Sequence, residues 1–191
     1  MDKLSFPIYE PAEKKFKITP NLIVFGLWLI TITFFWLFDS SFSPNSNFKS
    51  YCLTIVFVVT MYFLITSIFS YEPLNGVMNG EIIFEEDKIE INEKVFELKN
   101  INKLDFGFGD FYGDRSLASY NFNPSLSQGV GNSVSFTDNT GQTHKIYFKL
   151  MSRNQYKNLY PFINSAVKIG AMTYYRAIDL IDVENVTKPG N

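Results

Sequence analysis

Histidine and cysteine are almost missing from this chain, and charge is missing from two long parts of it. A single histidine, His144, leaves no multi-histidine metal site. A single cysteine, Cys52, cannot close an internal disulfide, which fits a reducing compartment. With 17 basic and 19 acidic side chains the formal charge is −2, so the basic excess expected of a nucleic-acid partner is not there. What the 191 residues do have in plenty is aromatic, 20 Phe and 11 Tyr, and the positions of these rings explain much of the chain.

The first uncharged stretch is LIVFGLWLITITFFWLF, residues 22–38, and the second is YCLTIVFVVTMYFLITSIFSY, residues 51–71. A membrane-spanning helix needs about 20 apolar residues at about 1.5 Å each, so the second is long enough outright. The first reaches that length when extended back to Pro20, with Thr19 placed to cap it. Trp36, Tyr51 and Tyr71 lie near the ends, where amphipathic rings favour the membrane interface. Some twenty mostly polar residues precede the first run and no small-x-small site follows it, which argues for an anchor over a cleaved signal. The polar turn 39–50 makes the pair a hairpin. Lys3, Lys14, Lys15 and Lys17 precede it while the turn holds only Lys49, so both termini are expected in the cytoplasm and the protein in the cell membrane. Neither span carries the ionisable residue that marks an ion or proton path. The hairpin reads as an anchor.

After a tether at 72–79 the periodicity changes from helical to two. Ile82 and Phe84 share a face, as do Ile89 and Ile91, Phe96 and Leu98, Leu104 with Phe106 and Phe108, Val134 and Phe136, and Ile146 with Phe148 and Leu150. Glu85–Lys88, Asn92-Glu93 and Asp138–Gly141 read as turns between these strands. An amphipathic helix follows, with Ser152 and Gln155 at capping-box spacing and Tyr156, Leu159, Ile163 and Ala166 on one face; Pro161 should divide it near Tyr160. Residues 169–191 form a tail with no assigned fold.

The runs GEIIFEEDKIEINEKVFELKNINKLDF and SVSFTDNTGQTHKIYFKLMSRNQYKNLYPFI resemble the bacterial pleckstrin-homology-like (PH-like) domains that follow a two-helix membrane hairpin. The likeness spans 80–168, lies in the pattern and order of elements, and implies an α+β protein: residues 1–19 as a cytoplasmic segment, a transmembrane hairpin at 20–71 with helices at 20–38 and 51–71, then a small antiparallel β-barrel capped by a C-terminal helix. The resemblance also implies a binding or scaffolding module. Two departures limit it. The turn taken as the first between strands, Glu85-Glu86-Asp87-Lys88, is acidic where phosphoinositide-binding members are basic, and the family's helix Trp is missing, since Trp28 and Trp36 lie in the anchor.

LDFGFGDFYGDRS, residues 104–116, invites a nucleotide-loop reading, but the spacing Gly107-x-Gly109-x-x-x-Gly113 is not that of a dinucleotide fingerprint and no helical pattern follows. Residues 109–132 instead form a long excursion between strands. Phe111, Tyr112, Tyr120 and Phe122 make it too aromatic for a linker, so it either folds onto the barrel as a lid or meets a partner or the lipid interface. Asp105, Asp110 and Asp114 lack calcium-loop spacing. Lys145, Lys149, Arg153 and Lys157 form a basic group that suits anionic headgroups, or else a solvated sheet edge.

The expected function is therefore a membrane-anchored, non-enzymatic binding or scaffolding protein whose partners are the lipid bilayer and another protein, with no cofactor, metal or nucleic acid. The alternatives are a membrane-surface enzyme using His144 with loop carboxylates, and an immunity or regulatory protein for a membrane-active partner.

Overall fold

In the computed structural model the described residues are 3–13, 16–38, 47–115 and 121–181. They fall into two compact units, one within 1–13, 74–114 and 127–191, the other within 14–73 and 115–126. The fold is α+β, with two apolar helices in the N-terminal half and an antiparallel sheet.

The first unit opens with a strand inside residues 1–19, the segment expected to precede the hairpin outside the domain. Leu4, Phe6 and Ile8 alternate along β1 (Leu4–Pro11), and Phe6 and Ile8 are buried. This strand pairs antiparallel with β2 (Gly76–Glu85), from Leu4 opposite Phe84 to Pro11 opposite Gly76, with a register shift between Pro7 and Tyr9. The shift accommodates a proline in an inner strand, where its missing N–H would break a regular ladder. Both helices therefore lie between two paired strands and do not precede the domain.

Five of the seven remaining strands follow the expected alternation, and the other two fall within 109–132, where the sequence predicts an irregular excursion. In chain order the seven are β3 (Lys88–Ile91), β4 (Lys94–Glu97), β5 (Asn102–Gly107), β6 (Tyr112–Arg115), β7 (Leu126–Gln128), β8 (Asn132–Thr137) and β9 (Thr143–Phe148). Of β1–β9, seven form one sheet in the order β4-β3-β2-β1-β9-β8-β5, while β6 and β7 pair separately. Asn92 and Glu93 both take positive φ, as the tight β3–β4 hairpin requires. The sheet curls strongly: the Phe96 ring on β4 lies 5.0 Å from Phe136 on β8. Five strand spacings would separate them by about 24 Å in a flat sheet.

The closed barrel expected from the sequence is not formed, because no pairing joins β4 to β5 among the described residues. Edge groups of β5 are taken from elsewhere. The Leu104 N–H donates to the Ala171 carbonyl at 2.9 Å, and Arg176 donates to the Phe106 carbonyl at 2.9 Å and to Asp105 at 2.6 Å. Part of the expected tail is thus structural: α5 (Tyr174–Leu180), capped by Thr173, buries Ala177, and Ile181 beyond it is buried too.

The helical pattern divides at Leu159 into α3 (Arg153–Asn158) and α4 (Tyr160–Ile169), with Pro161 in the first turn of α4, where its missing N–H costs nothing. The expected capping box is not made. Gln155 reaches back to accept the Met151 N–H at 2.6 Å, while the Ser152 side chain makes no cap bond. Helix α4 buries Phe162, Ile163, Ala166 and Val167 in a core whose centre is aromatic. Phe84 touches Phe6, Phe106, Phe148 and Phe162 at ring distances of 5.1–6.0 Å.

The second unit contains α1 (Pro20–Phe38) and α2 (Phe48–Phe69). Each is long and apolar enough to cross a membrane, with mean hydropathy 2.1 and 2.3, and only 6% and 11% of their most apolar stretches are buried inside the protein. Helices belonging to a soluble core would be covered. Thr19 caps α1 through its hydroxyl, which accepts the Leu22 N–H at 3.3 Å, and the two helices are linked by Trp28 Nε1 donating to Thr60 Oγ1 at 3.0 Å.

Because Phe6 is buried between Phe84 and Phe148, Phe6→Ala should lower stability by about 3–5 kcal/mol. The shift of the urea midpoint of the detergent-solubilised chain measures this. A midpoint within error of the parent would show that β1 is not part of the core.

Candidate functional site

The excursion between β5 and β8 is held at its root by a polar knot. Strand β5 ends at Gly107, and Gly109 then passes so close to the returning chain that a Cβ there would lie 2.6 Å from the Gly131 carbonyl. The Asp110 carboxylate accepts the Gly131 N–H at 2.7 Å and, on its other oxygen, the Ser127 hydroxyl, which itself accepts the Gly129 N–H at 2.8 Å. Asn132 is fully buried. Its amide oxygen accepts the Gly109 N–H at 3.0 Å, and its NH2 donates to the carbonyls of Asp110 and Gly129 at 2.8 and 3.0 Å. Gly129 has φ +71°, and a Cβ there would sit 2.2 Å from the Leu150 carbonyl. The amides of Gly109, Gly129 and Gly131 all donate to protein acceptors, and Asp110 supplies an anion of its own at the place where a phosphate cradle would hold one.

The tip of the excursion belongs to the helical unit, not to the sheet as lid packing would require. The Phe122 N–H donates to Asn21 Oδ1 in the first turn of α1 at 2.7 Å. Ser125 donates its N–H and its hydroxyl to the Ser67 carbonyl at 3.0 and 2.9 Å, and the Leu126 N–H donates to the Ser70 carbonyl at 3.1 Å. Both Ser67 and Ser125 are buried. Helix α2 thus has carbonyls of its last turn satisfied by the loop, where a helix end otherwise turns to water.

The aromatic residues singled out in the loop separate accordingly. Phe111 packs against the core of the sheet unit, and Tyr112 lies under the Lys149 ammonium, 4.4 Å from the ring centroid. Phe122 is on the helix ends, and Tyr120 lies outside the described residues. Of the basic group, Lys145 is exposed on β9 over the Tyr147 ring at 5.2 Å, whereas Arg153 and Lys157 are exposed four residues apart on α3, hence on one side of that helix. The acidic turn Glu85–Lys88 joins β2 to β3. The connection between the first two strands of the sheet is instead the whole stretch 12–75, so the acidity of 85–88 says nothing of the place where basic residues were sought.

His144 meets Asp138 and not a loop carboxylate. Its Nε2 lies 2.8 Å from Asp138 Oδ2, and its ring rests against Phe96 and Phe136 at 5.0 and 5.1 Å. Asp138 Oδ1 accepts from the Thr140 N–H, the Thr140 hydroxyl and the Gln142 N–H. These bonds, led by that from His144, hold the Asp138 carboxyl well below the usual carboxylate range. Asp105 pairs with Arg176 and Asp110 with the knot, so neither of these two acids meets His144. Among the described residues no three His, Cys, Asp or Glu come together as a metal site would need.

Sequence reasoning missed Asn132, the Asp138–His144 pair and the loop's helix contacts. Asp138 had a signal, since an Asp opening a Thr-Gly turn commonly bonds its own turn. Asn21, Ser67 and Ser125 had none, being ordinary polar residues whose partners lie far along the chain.

No family model, curated protein or solved structure matches this chain.

A depressed folded-state pKa makes Asp138 stabilising above its unfolded pKa of about 3.9, with that contribution lost as pH falls further. Asp138→Asn should therefore melt lower than the parent at pH 7, and the gap between the two melting temperatures should narrow progressively as pH falls below about 4 toward the depressed folded-state value. A constant gap across that range would refute the assignment.

Proposed function

We propose that this protein is a membrane-anchored, non-enzymatic binding or scaffolding module in which a hairpin of two spanning helices is inserted into a PH-like domain. The single observation that carries the reading is the β1–β2 ladder, which pairs residues 4–11 with 76–84 across the apolar helices. Hydrogen-bonded strands share one compartment, so the flanks of the hairpin lie on the same side of any bilayer that the helices cross. Even-numbered spanning follows. The basic residues Lys3, Lys14, Lys15 and Lys17 against the lone Lys49 favour the cytoplasm for that side.

Support for the PH-like reading comes from the order of elements: a curled antiparallel sheet of seven strands followed by a helix, α4, that fills its core. The binding reading is supported by the exposed cations Lys145, Arg153 and Lys157, which suit an acidic protein partner approaching from the aqueous side. His144 supports the non-enzymatic reading, since its imidazole closes a hairpin turn against two Phe rings.

Reporter fusions at each terminus in intact cells should both report cytoplasm. Opposite locations would overturn the insertion, and a shared outer location would overturn the orientation. In co-purification from native membranes, replacing Lys145, Arg153 and Lys157 together by Glu should deplete the bound partner while leaving the melting temperature unchanged, because all three are exposed. Undiminished recovery would exclude these three cations as the binding determinants.

A further inference from the structure

We infer that the loop tip 121–126 is a third membrane-contacting element, seated at the headgroup–acyl boundary beside the two helices. The inference rests on the reading of α1 and α2 as spans. The 19 residues of α1 extend about 28 Å, close to the ~30 Å of a hydrocarbon core, which puts its first turn at the edge of the acyl region. Asn21 is in that turn, and it holds the Phe122 backbone at 2.7 Å.

At the matching end of α2, loop donors replace water. The carbonyls of Ser67, Ile68 and Ser70 accept from Ser125 and Leu126, and the Glu72 N–H returns to the Leu126 carbonyl at 2.8 Å. Such replacement matters most where lipid excludes water, because an unsatisfied backbone group there costs several kcal/mol. Composition agrees: residues 116–126 contain no Asp, Glu, Lys or Arg, unlike an ordinary solvated loop. Phe16, Ile18 and Phe69, at 87%, 68% and 71% exposure, flank the same helix ends in the same unit and give the tip an apolar surround that water would penalise. The ligand is thus a lipid interface, and Phe122 and Leu126 supply the apolar side chains that enter it.

Collision accessibility of a nitroxide tests this in the full chain, reconstituted in phosphatidylcholine–phosphatidylglycerol vesicles. In a Cys52→Ala background, labels are placed by Phe122→Cys, by Asn123→Cys with Phe122 retained, by Phe57→Cys in mid-span, and by Asn139→Cys at an exposed turn. Labels at 122 and 123 should lose collisions with a water-soluble nickel complex and gain collisions with oxygen relative to 139. If 57 is oxygen-favoured while 122 and 123 match 139, the loop proposal fails and the spans stand. If 57 itself matches 139, the spanning reading fails and the proposal with it. A label at 122 that behaves like 139 while 123 is shielded also overturns the seat assigned to Phe122.

Discussion

One ladder of hydrogen bonds, that between β1 and β2, organises everything else in this protein. It joins residues that are 80 positions apart at its far end, Leu4 and Phe84, and encloses the entire apolar hairpin. An ordinary loop of that length would carry a closure cost that grows with its logarithm. A helical hairpin reduces the problem because antiparallel helices return the chain toward its start. The Ala12 N–H donating to the Asn75 carbonyl at 2.8 Å marks where the two flanks meet. From that pairing β1 goes on to β9, through Ile8 and Tyr9, and so connects the β2–β4 meander to the β5, β8 and β9 group. Without β1 the sheet would be two separate pieces, Phe84 and Phe96 on one and Phe106, Phe136 and Phe148 on the other.

The second constraint is the fate of the 109–132 segment. Its root is closed by Asp110 and Asn132, whose side chains satisfy glycine amides that a tight crossing had left without strand partners. Its tip is committed to the ends of α1 and α2. The chain accordingly passes between the two units four times, at 13–14, 73–74, 114–115 and 126–127. A hairpin appended before a domain would be joined to it by a single connection. The inserted hairpin and the loop tip are joined to the other unit at all four of these points.

Edge management also follows from long-range contacts. Strand β5 has edge groups covered by Ala171 and Arg176, contributed by the segment after α4. At the opposite edge, β4 is only four residues long and carries Lys94 and Glu97, features that discourage pairing with another chain. The curl brings Phe96 from this edge onto Phe136 and His144, so the hydrogen-bonded ladder can remain open while the apolar core is enclosed. Closing the ladder would require β5 to release its C-terminal partners.

Local pattern was sufficient wherever the relevant physics was local. Alternation at Ile82 and Phe84, Ile89, Phe96 and Leu98, Leu104 and Phe106, and Val134 and Phe136 identified buried faces, since neighbouring Cβ atoms on a strand must point oppositely. The Asn92-Glu93 and Asp138–Gly141 turns, the cap at Thr19 and the division at Pro161 were equally legible, because each is set by residues a few positions apart. Partnership across the chain was not. Strand β1 offers just three alternating apolar residues interrupted by Pro7, and nothing in it names β2 as its mate. Asn21, Ser67, Ser125 and Asn132 are unremarkable polar letters until folding brings donors and acceptors together. The sequence by itself determined which residues shun water and where the backbone turns, because transfer free energy and steric preference belong to single residues and short windows. Only the tertiary structure decided that the hairpin interrupts the sheet, that the loop tip belongs to the helices and that the ladder stays open, because those outcomes depend on which distant backbone groups satisfy one another.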